Sequence, residues 1–194
     1  MPQDLTDREL VLAAREGDSP AYGELIHRYH ETIYAFLMQL TKNRQDAEDL
    51  TQDTFLHALQ KLGTFKLDRK FRPWLFTIAR RLTIAQWRRH KPTFPLLDSD
   101  HPETASAKPH DAIALWQIAQ SHLKRDEFMA LWLHYQENLP IKEVARVLRK
   151  TVTHSKVILH RARKKLGKKL ASTSDAWLPG RPGQALPLSN PTSS

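Results

Sequence analysis

Apolar residues recur along most of this chain at three- and four-residue spacings, the signature of helices that bury one face. Thr6 followed by Glu9 has the spacing of a capping box and predicts a short helix that stops near Gly17. Ser19 and Pro20 supply an N-cap and a favoured first residue for a second helix, carrying Leu25, Ile26, Tyr29, Ile33, Phe36, Leu37 and Leu40. Asn43, with Asp46 three residues on, opens a third helix that Gly63 closes. At about 100° per residue, Ala47, Leu50, Thr54 and Ala58 share one side of it. A basic loop runs from Thr64 to Arg72, and Pro73 starts a fourth helix that ends near Arg89. Its predicted buried stripe is Leu75, Ile78, Ala79 and Leu82.

The pattern breaks over residues 91–110, where Pro92, Pro95, Pro102 and Pro109 stand among Asp98, Asp100 and Glu103. Proline removes backbone donors and disfavours helix in the residue before it, so this segment reads as an extended, acidic linker. Helical spacing returns at Ile113, Trp116, Ala119 and Leu123, and again at Phe128, Leu131, Trp132 and Tyr135. Pro140 opens a helix that buries Ile141, Val144, Ala145 and Leu148. After a tight break at Arg149, Lys150 and Thr151, a last helix turns Ser155, Leu159, Ala162 and Leu166 inward. Two short helices joined so closely, the second strongly basic, have the form of a helix-turn-helix. Residues 171–194 are rich in Ser, Pro and Gly and predict a disordered tail. No alternation or hairpin signal predicts a strand. The expected fold is all-α, with two small helical domains, 1–90 and 111–170, joined by a flexible linker.

Charge sharpens this picture. The 194 residues carry a formal net charge of +9. Residues 66–91 hold nine Lys and Arg against one Asp, and residues 142–169 hold eleven against one Glu, so two windows contain twenty of the thirty basic residues. Such clustering points to polyanion-binding surfaces. The third helix is the opposite case. Asp46, Asp49 and Asp53 fall together on its outward side, with Leu56 beside them, which suits a protein partner. The fourth helix projects Arg80, Arg81 and Arg88, with Thr77, Ile84 and Trp87 interleaved.

Other chemistries find little support. The chain has no cysteine, which excludes disulfides and thiolate metal sites. Among ten histidines, His27 and His30 lie three apart on a helix, and His154 and His160 sit in the basic last helix, where a polyanion contact is more natural than a metal. No Gly-rich phosphate loop or nucleophile elbow occurs. The acids near Asp49 lie on an open polar face, not in an apolar pocket that would split their pKa values. No cofactor is expected. The N-terminus lacks a signal peptide's basic start and apolar run, and no stretch approaches the roughly 20 apolar residues of a membrane span. These features predict a cytoplasmic protein with no membrane insertion.

The two basic windows suit nucleic acid differently. On the last helix, Lys156, His160, Arg161 and Arg163 face outward and suit base edges in a duplex major groove. Lys164, Lys165, Lys168 and Lys169 suit phosphates. In residues 66–91, Phe71 and Trp87 stand among cations, a combination that suits unstacked single strands; both fit core packing equally well.

DAEDLTQDTFLHAL, then F-x-x-WLFTIAR, LPIKEVARVL and LHRARKKL, taken in this order, resemble the extracytoplasmic-function group of bacterial RNA polymerase sigma factors. The resemblance covers residues 6–90 and 111–170. It implies a factor that binds core RNA polymerase and directs it to promoter DNA. By motif position, docking on the clamp helices of the β′ subunit falls to Asp49, Gln52 and Asp53, with Asp46 and Leu56 on the same face. The −10 non-template strand falls to Lys66, Arg69, Lys70 and Phe71, then Thr77, Arg80, Arg81 and Arg88. The −35 duplex falls to Lys156, His160, Arg161, Arg163 and Lys164. The linker of such proteins threads toward the polymerase active centre, and an anti-sigma factor is a common partner in the family.

The chain departs from the family pattern at several places. Arg81 and Ala85 stand where asparagine and aspartate are usual, Arg149 replaces a turn glycine, and Val157 and Ile158 replace polar residues. The class carries over by resemblance; the promoter sequence does not. The alternative reading is a stand-alone helix-turn-helix regulator, which explains residues 124–170 but leaves the acidic face without a use. A protein that only sequesters another regulator leaves both basic windows unexplained.

Overall fold

In the computed structural model, residues 5–89 and 112–171 are described; the predicted linker at 91–110 and the tail from residue 172 onward lie outside them. The chain divides into two compact units, each a small helical domain. No strand occurs among the described residues.

The first unit comprises α1 (Asp7–Arg15), α2 (Ser19–Thr41), α3 (Arg44–Lys61) and α4 (Phe71–Arg89), with a 3₁₀ turn at Leu62–Thr64. Helix α2 packs against the other three, and α3 packs on α4. The predicted capping box forms: the Glu9 amide donates to Thr6 Oγ1, and the Thr6 amide donates to the Glu9 carboxylate at 2.7 Å. Asn43 Oδ1 likewise accepts from the Asp46 amide at 3.0 Å. Helix α2 starts one residue earlier than predicted. Asp18 is its cap, accepting from the Ala21 amide at 3.0 Å, so Ser19 and Pro20 are its first helical residues.

Leu10, Leu25, Ile33, Phe36, Leu37, Leu50, Leu75 and Phe76 fill the core, with the Phe36 and Phe76 rings edge to face at 5.1 Å. Ile26, Tyr29 and Leu40 are half-buried at its margin. Between α3 and α4 the core admits hydroxyls. Thr51, Thr54 and Thr83 are buried, and each donates to the carbonyl four residues back, so all three hydroxyl donors are satisfied. On α4 the buried stripe includes Phe76 and Thr83, whereas Leu82 is only half-buried.

The second unit comprises α5 (Ala112–His122), α6 (Arg125–Leu131) continued by a π-turn at Trp132–Gln136, α7 (Ile141–Leu148) and α8 (Val152–Ala171). Helix α8 lies against α5, α6 and α7. Trp116, Phe128 and Trp132 form an aromatic cluster, with the two tryptophan rings 4.8 Å apart. The Trp132 indole donates to the buried Glu137 carboxylate at 3.0 Å, which satisfies both polar groups. Ala119, Leu123, Leu131, Val144, Ala145, Leu148, Leu159, Ala162 and Leu166 are buried as predicted. Ile141 and Tyr135 are half-buried, and Val147 joins the core. The Ile113 side chain lies outside the described set.

Candidate nucleic-acid interface

On α3 the buried residues Ala47, Leu50, Thr51, Thr54, Phe55 and Ala58 leave the opposite side open. Asp49, Gln52 and Asp53 are exposed there, joined by Leu56 at 54% exposure and Leu59 at 46%. Four of the five predicted polymerase-facing residues therefore share one face. Asp46 does not belong fully to it. Half-buried, its Oδ1 accepts a 2.9 Å hydrogen bond from Gln86 of α4, so it ties the two helices together. Leu59 is uncharged and lies beyond the run of aspartates, so charge patterning does not mark it. Two exposed leucines beside carboxylates make a surface that is acidic and apolar at once.

The basic loop between the 3₁₀ turn and α4 is held at both ends by aromatics. Phe65 and Phe71 are buried, and their rings meet edge to face at 5.7 Å. Trp74 lies 4.9 and 5.5 Å from them, and Tyr29 packs 5.7 Å from Phe71. Phe71 is thereby removed from the strand-facing set: at 2% exposure it offers no ring face to a base. It is already the first residue of α4, because proline is tolerated in a helix's first turn, where Pro73 sits. Lys66, Arg69 and Lys70 remain exposed on the loop, and the Arg69 amide donates back to the Lys66 carbonyl at 3.0 Å. Along α4, Arg81 and Arg88 are exposed, and Thr77, Arg80 and Trp87 are half-buried. The Thr77 hydroxyl donates to the Pro73 carbonyl, so its oxygen is turned along its own helix.

Arg15 of α1 is a residue the sequence reading missed. Its Nε donates to the Leu62 carbonyl at 2.9 Å and its Nη2 to the Phe65 carbonyl. One guanidinium thus holds the turn from which the basic loop departs. The partners stand 47 and 50 residues away, and nothing in local spacing announces them.

In the second unit, α7 and α8 are joined by the predicted tight turn. Arg149 takes a left-handed conformation (φ 55°, ψ 45°), and the Lys150 amide returns to the Ala145 carbonyl at 2.9 Å. Thr151 Oγ1 accepts from the His154 amide at 3.1 Å and starts α8. Lys156, His160, Arg161, Arg163 and Lys164 are all exposed. Arg163 leans toward the Tyr135 hydroxyl at 3.4 Å. Lys165 is engaged within the unit: its ammonium donates to both oxygens of the buried Glu127 carboxylate at 2.9 and 2.8 Å. That pair braces α8 against α6 and leaves the opposite side clear. Among the described residues no group of three or more His, Asp or Glu is placed to hold a metal, and no helix is long and apolar enough to cross a membrane.

Two family models match the chain: Sigma-70 region 2 over residues 25–93, and Sigma-70 region 4 over residues 119–166. The extracytoplasmic-function sigma factor SigM of Mycobacterium tuberculosis is 30% identical over 145 residues, 74% of this chain and 74% of its own length. BldN of Streptomyces coelicolor, of the same group, is 32% identical over 174 residues, 84% of this chain and 65% of BldN. The solved structure of CnrH in complex with the cytosolic domain of CnrY is 25% identical, with a TM-score of 0.67, covering 87% of this chain and 99% of CnrH. The chain belongs to the extracytoplasmic-function sigma factors. Its function is accordingly that of an alternative sigma factor in promoter-specific transcription initiation, and the first and second units are its regions 2 and 4.

Within this sigma factor the departures from the family pattern have distinct structural consequences. Arg81 is exposed, so a cation replaces an amide on the open side of α4, while Ala85 is half-buried. Arg149 keeps the left-handed backbone that glycine adopts without strain, at a cost of roughly 1–2 kcal/mol. Val157 and Ile158 part company. Ile158 is 7% exposed and serves the core, whereas Val157 stands outward at 40%.

Proposed function

We propose that the sigma factor divides its work between faces of opposite charge on its two units. The exposed Asp49, Gln52, Asp53 and Leu56 on α3, extended by Leu59, dock on the β′ clamp helices of core RNA polymerase. Two exposed leucines supply apolar burial, and the aspartates set register and orientation against a basic partner. Lys66, Arg69 and Lys70 with Arg80, Arg81 and Arg88 hold the −10 non-template strand, with Thr77 beside them. Lys156, His160, Arg161, Arg163 and Lys164 read the −35 duplex from the helix-turn-helix. Residues 91–110 link the two domains, 1–90 and 111–170, and the protein acts in the cytoplasm with no catalytic step of its own. CnrH in complex with the cytosolic domain of CnrY supports a further protein partner for this chain as well, for which an anti-sigma factor is the candidate.

The observation that carries this reading is the exposed acidic and leucine-bearing face of α3 in a chain whose other exposed charge is dominantly basic. A protein that bound DNA alone has no use for it. Titration of the purified protein into core RNA polymerase, followed by run-off transcription on genomic fragments, tests the proposal. Saturable core binding with new discrete start sites is the expected result. A sequence-specific complex with DNA in the absence of core, and no core binding, would establish the stand-alone regulator instead.

A further inference from the structure

Val157 stands where neither the core nor the helix has a use for it. The stripe that α8 buries consists of Ser155, Ile158, Leu159, Ala162, Leu166 and Leu170. At about 100° per residue, Val157 lies almost diametrically opposite. Its neighbours on the helix surface, three and four residues away, are Thr153, His154, His160 and Arg161, and all four are exposed. A β-branched residue also loses side-chain freedom in a helix, so an exposed valine is a poorer helix former than alanine or lysine there. Val152 is exposed too, but it lies about 140° around the helix from Val157, toward the buried side.

An isopropyl group neither donates nor accepts a hydrogen bond. In the major groove guanine, cytosine and adenine present polar edges, and only thymine adds a methyl group. Against guanine or cytosine, Val157 would displace water from polar atoms and return no hydrogen bond, an unfavourable exchange. Against thymine, two apolar surfaces leave water together. We propose that Val157 selects a thymine in the −35 duplex through its C5 methyl, between Lys156, His160 and Arg161, whose polar groups engage the flanking bases. This inference rests on the duplex-reading role of α8 proposed above and adds the base type that one position requires.

Deoxyuridine differs from thymidine by that methyl alone and pairs identically. The test replaces each thymine, on either strand of the −35 element of a promoter found by run-off transcription, and measures binding by holoenzyme containing the full chain. At one position the parent is expected to lose about fourfold in affinity, the worth of one buried methyl group. The Val157→Ala holoenzyme is expected to lose nothing further from the same replacement. Because Val157 is exposed, the variant should keep the parent's circular dichroism spectrum and core affinity. No methyl-sensitive thymine in the parent, or the same penalty in Val157→Ala, overturns the proposal. Arg161→Ala and a scrambled −35 element separate the two levels. If both leave affinity unchanged, α8 does not read this duplex and both readings fall. If both weaken binding while deoxyuridine has no effect, the thymine reading alone falls.

Discussion

The two units of this sigma factor build their exposed basic surfaces by different physical means. In the second, the outward residues from Thr153 to Lys164 ride on one continuous helix, and α8 needs only to be started by Thr151 and braced by the Lys165–Glu127 pair. In the first, the basic surface is assembled from a loop and the helix after it, held from elsewhere in the unit. Arg15 fixes the carbonyls of Leu62 and Phe65, buried Phe65 and Phe71 bracket the loop, and Gln86 ties α4 to Asp46. A surface on one helix follows from helical period alone. One made of several segments depends on tertiary contacts, so it is sensitive to changes that touch no nucleic acid.

The largest expected effect sets the two charges against each other. Replacing Asp49 and Asp53 together by lysine places like charge against a basic partner, which costs several kcal/mol, so core affinity should fall by about 100-fold or more. Both side chains are exposed, and the helical circular dichroism spectrum should not change. Unaltered core affinity in a normally folded variant would remove α3 as the docking face. Arg161→Ala should do the converse, leaving core affinity intact and weakening −35 recognition by about 1–3 kcal/mol. Equal transcription by variant and parent from a −35-dependent promoter would refute a base-reading role for Arg161.

Much of this contrast was legible in the sequence, and the limits of legibility follow it. The Thr6–Glu9 box, the Asn43 cap and the inward stripe of α8 are local, and each formed as its spacing predicted. Pro73 predicts a start for α4 two residues later than the one found, because a proline reads as a beginning although it is tolerated anywhere in the first turn. That displacement leaves Phe71 in the predicted loop, where a strand contact and core packing fit it equally well; it is a core residue. Likewise Lys165 reads as one of several lysines near the end of a basic helix, and only folding brings Glu127, 38 residues earlier, within ion-pair distance. Arg15 and the Gln86–Asp46 bond are of the same kind. Local chemistry determines caps and faces; which charges are already engaged is a tertiary fact.

Backbone strain offers a smaller test on the second unit alone. Arg149 holds φ at 55° in the turn before α8. Arg149→Gly relieves that strain at some expense in unfolded-state entropy, and the net gain should be about 1 kcal/mol in the stability of this unit. Denaturant unfolding followed by tryptophan fluorescence, with Trp116 and Trp132 buried here, reads it out. A loss of stability would mean that the Arg149 side chain contributes more than its backbone costs.

The smallest effect belongs to the first unit and depends on pH. Glu9 accepts hydrogen bonds from the Thr6 amide and hydroxyl, at 2.7 and 2.8 Å, and the amide bond is the larger reason its carboxyl is held below the ordinary value of 4.5. A carboxylate whose pKa falls on folding favours the folded state above its unfolded pKa, and that contribution is lost as pH drops through the folded value. The capping contribution should therefore be complete at neutral pH and disappear below about pH 4.5, where other carboxylates titrate as well. Glu9→Gln separates the two, since glutamine retains an acceptor for the Thr6 amide but no longer ionises. The parent's stability advantage over this variant should shrink on acidification, as measured by unfolding of the full chain at neutral pH and near pH 3.5. A constant difference across that range would show that the ionised Glu9 contributes nothing to the cap. Because α1 also carries Arg15, loosening it should reach the basic loop of the first unit and leave the helix-turn-helix unaffected, which is the asymmetry expected of a surface assembled from several segments.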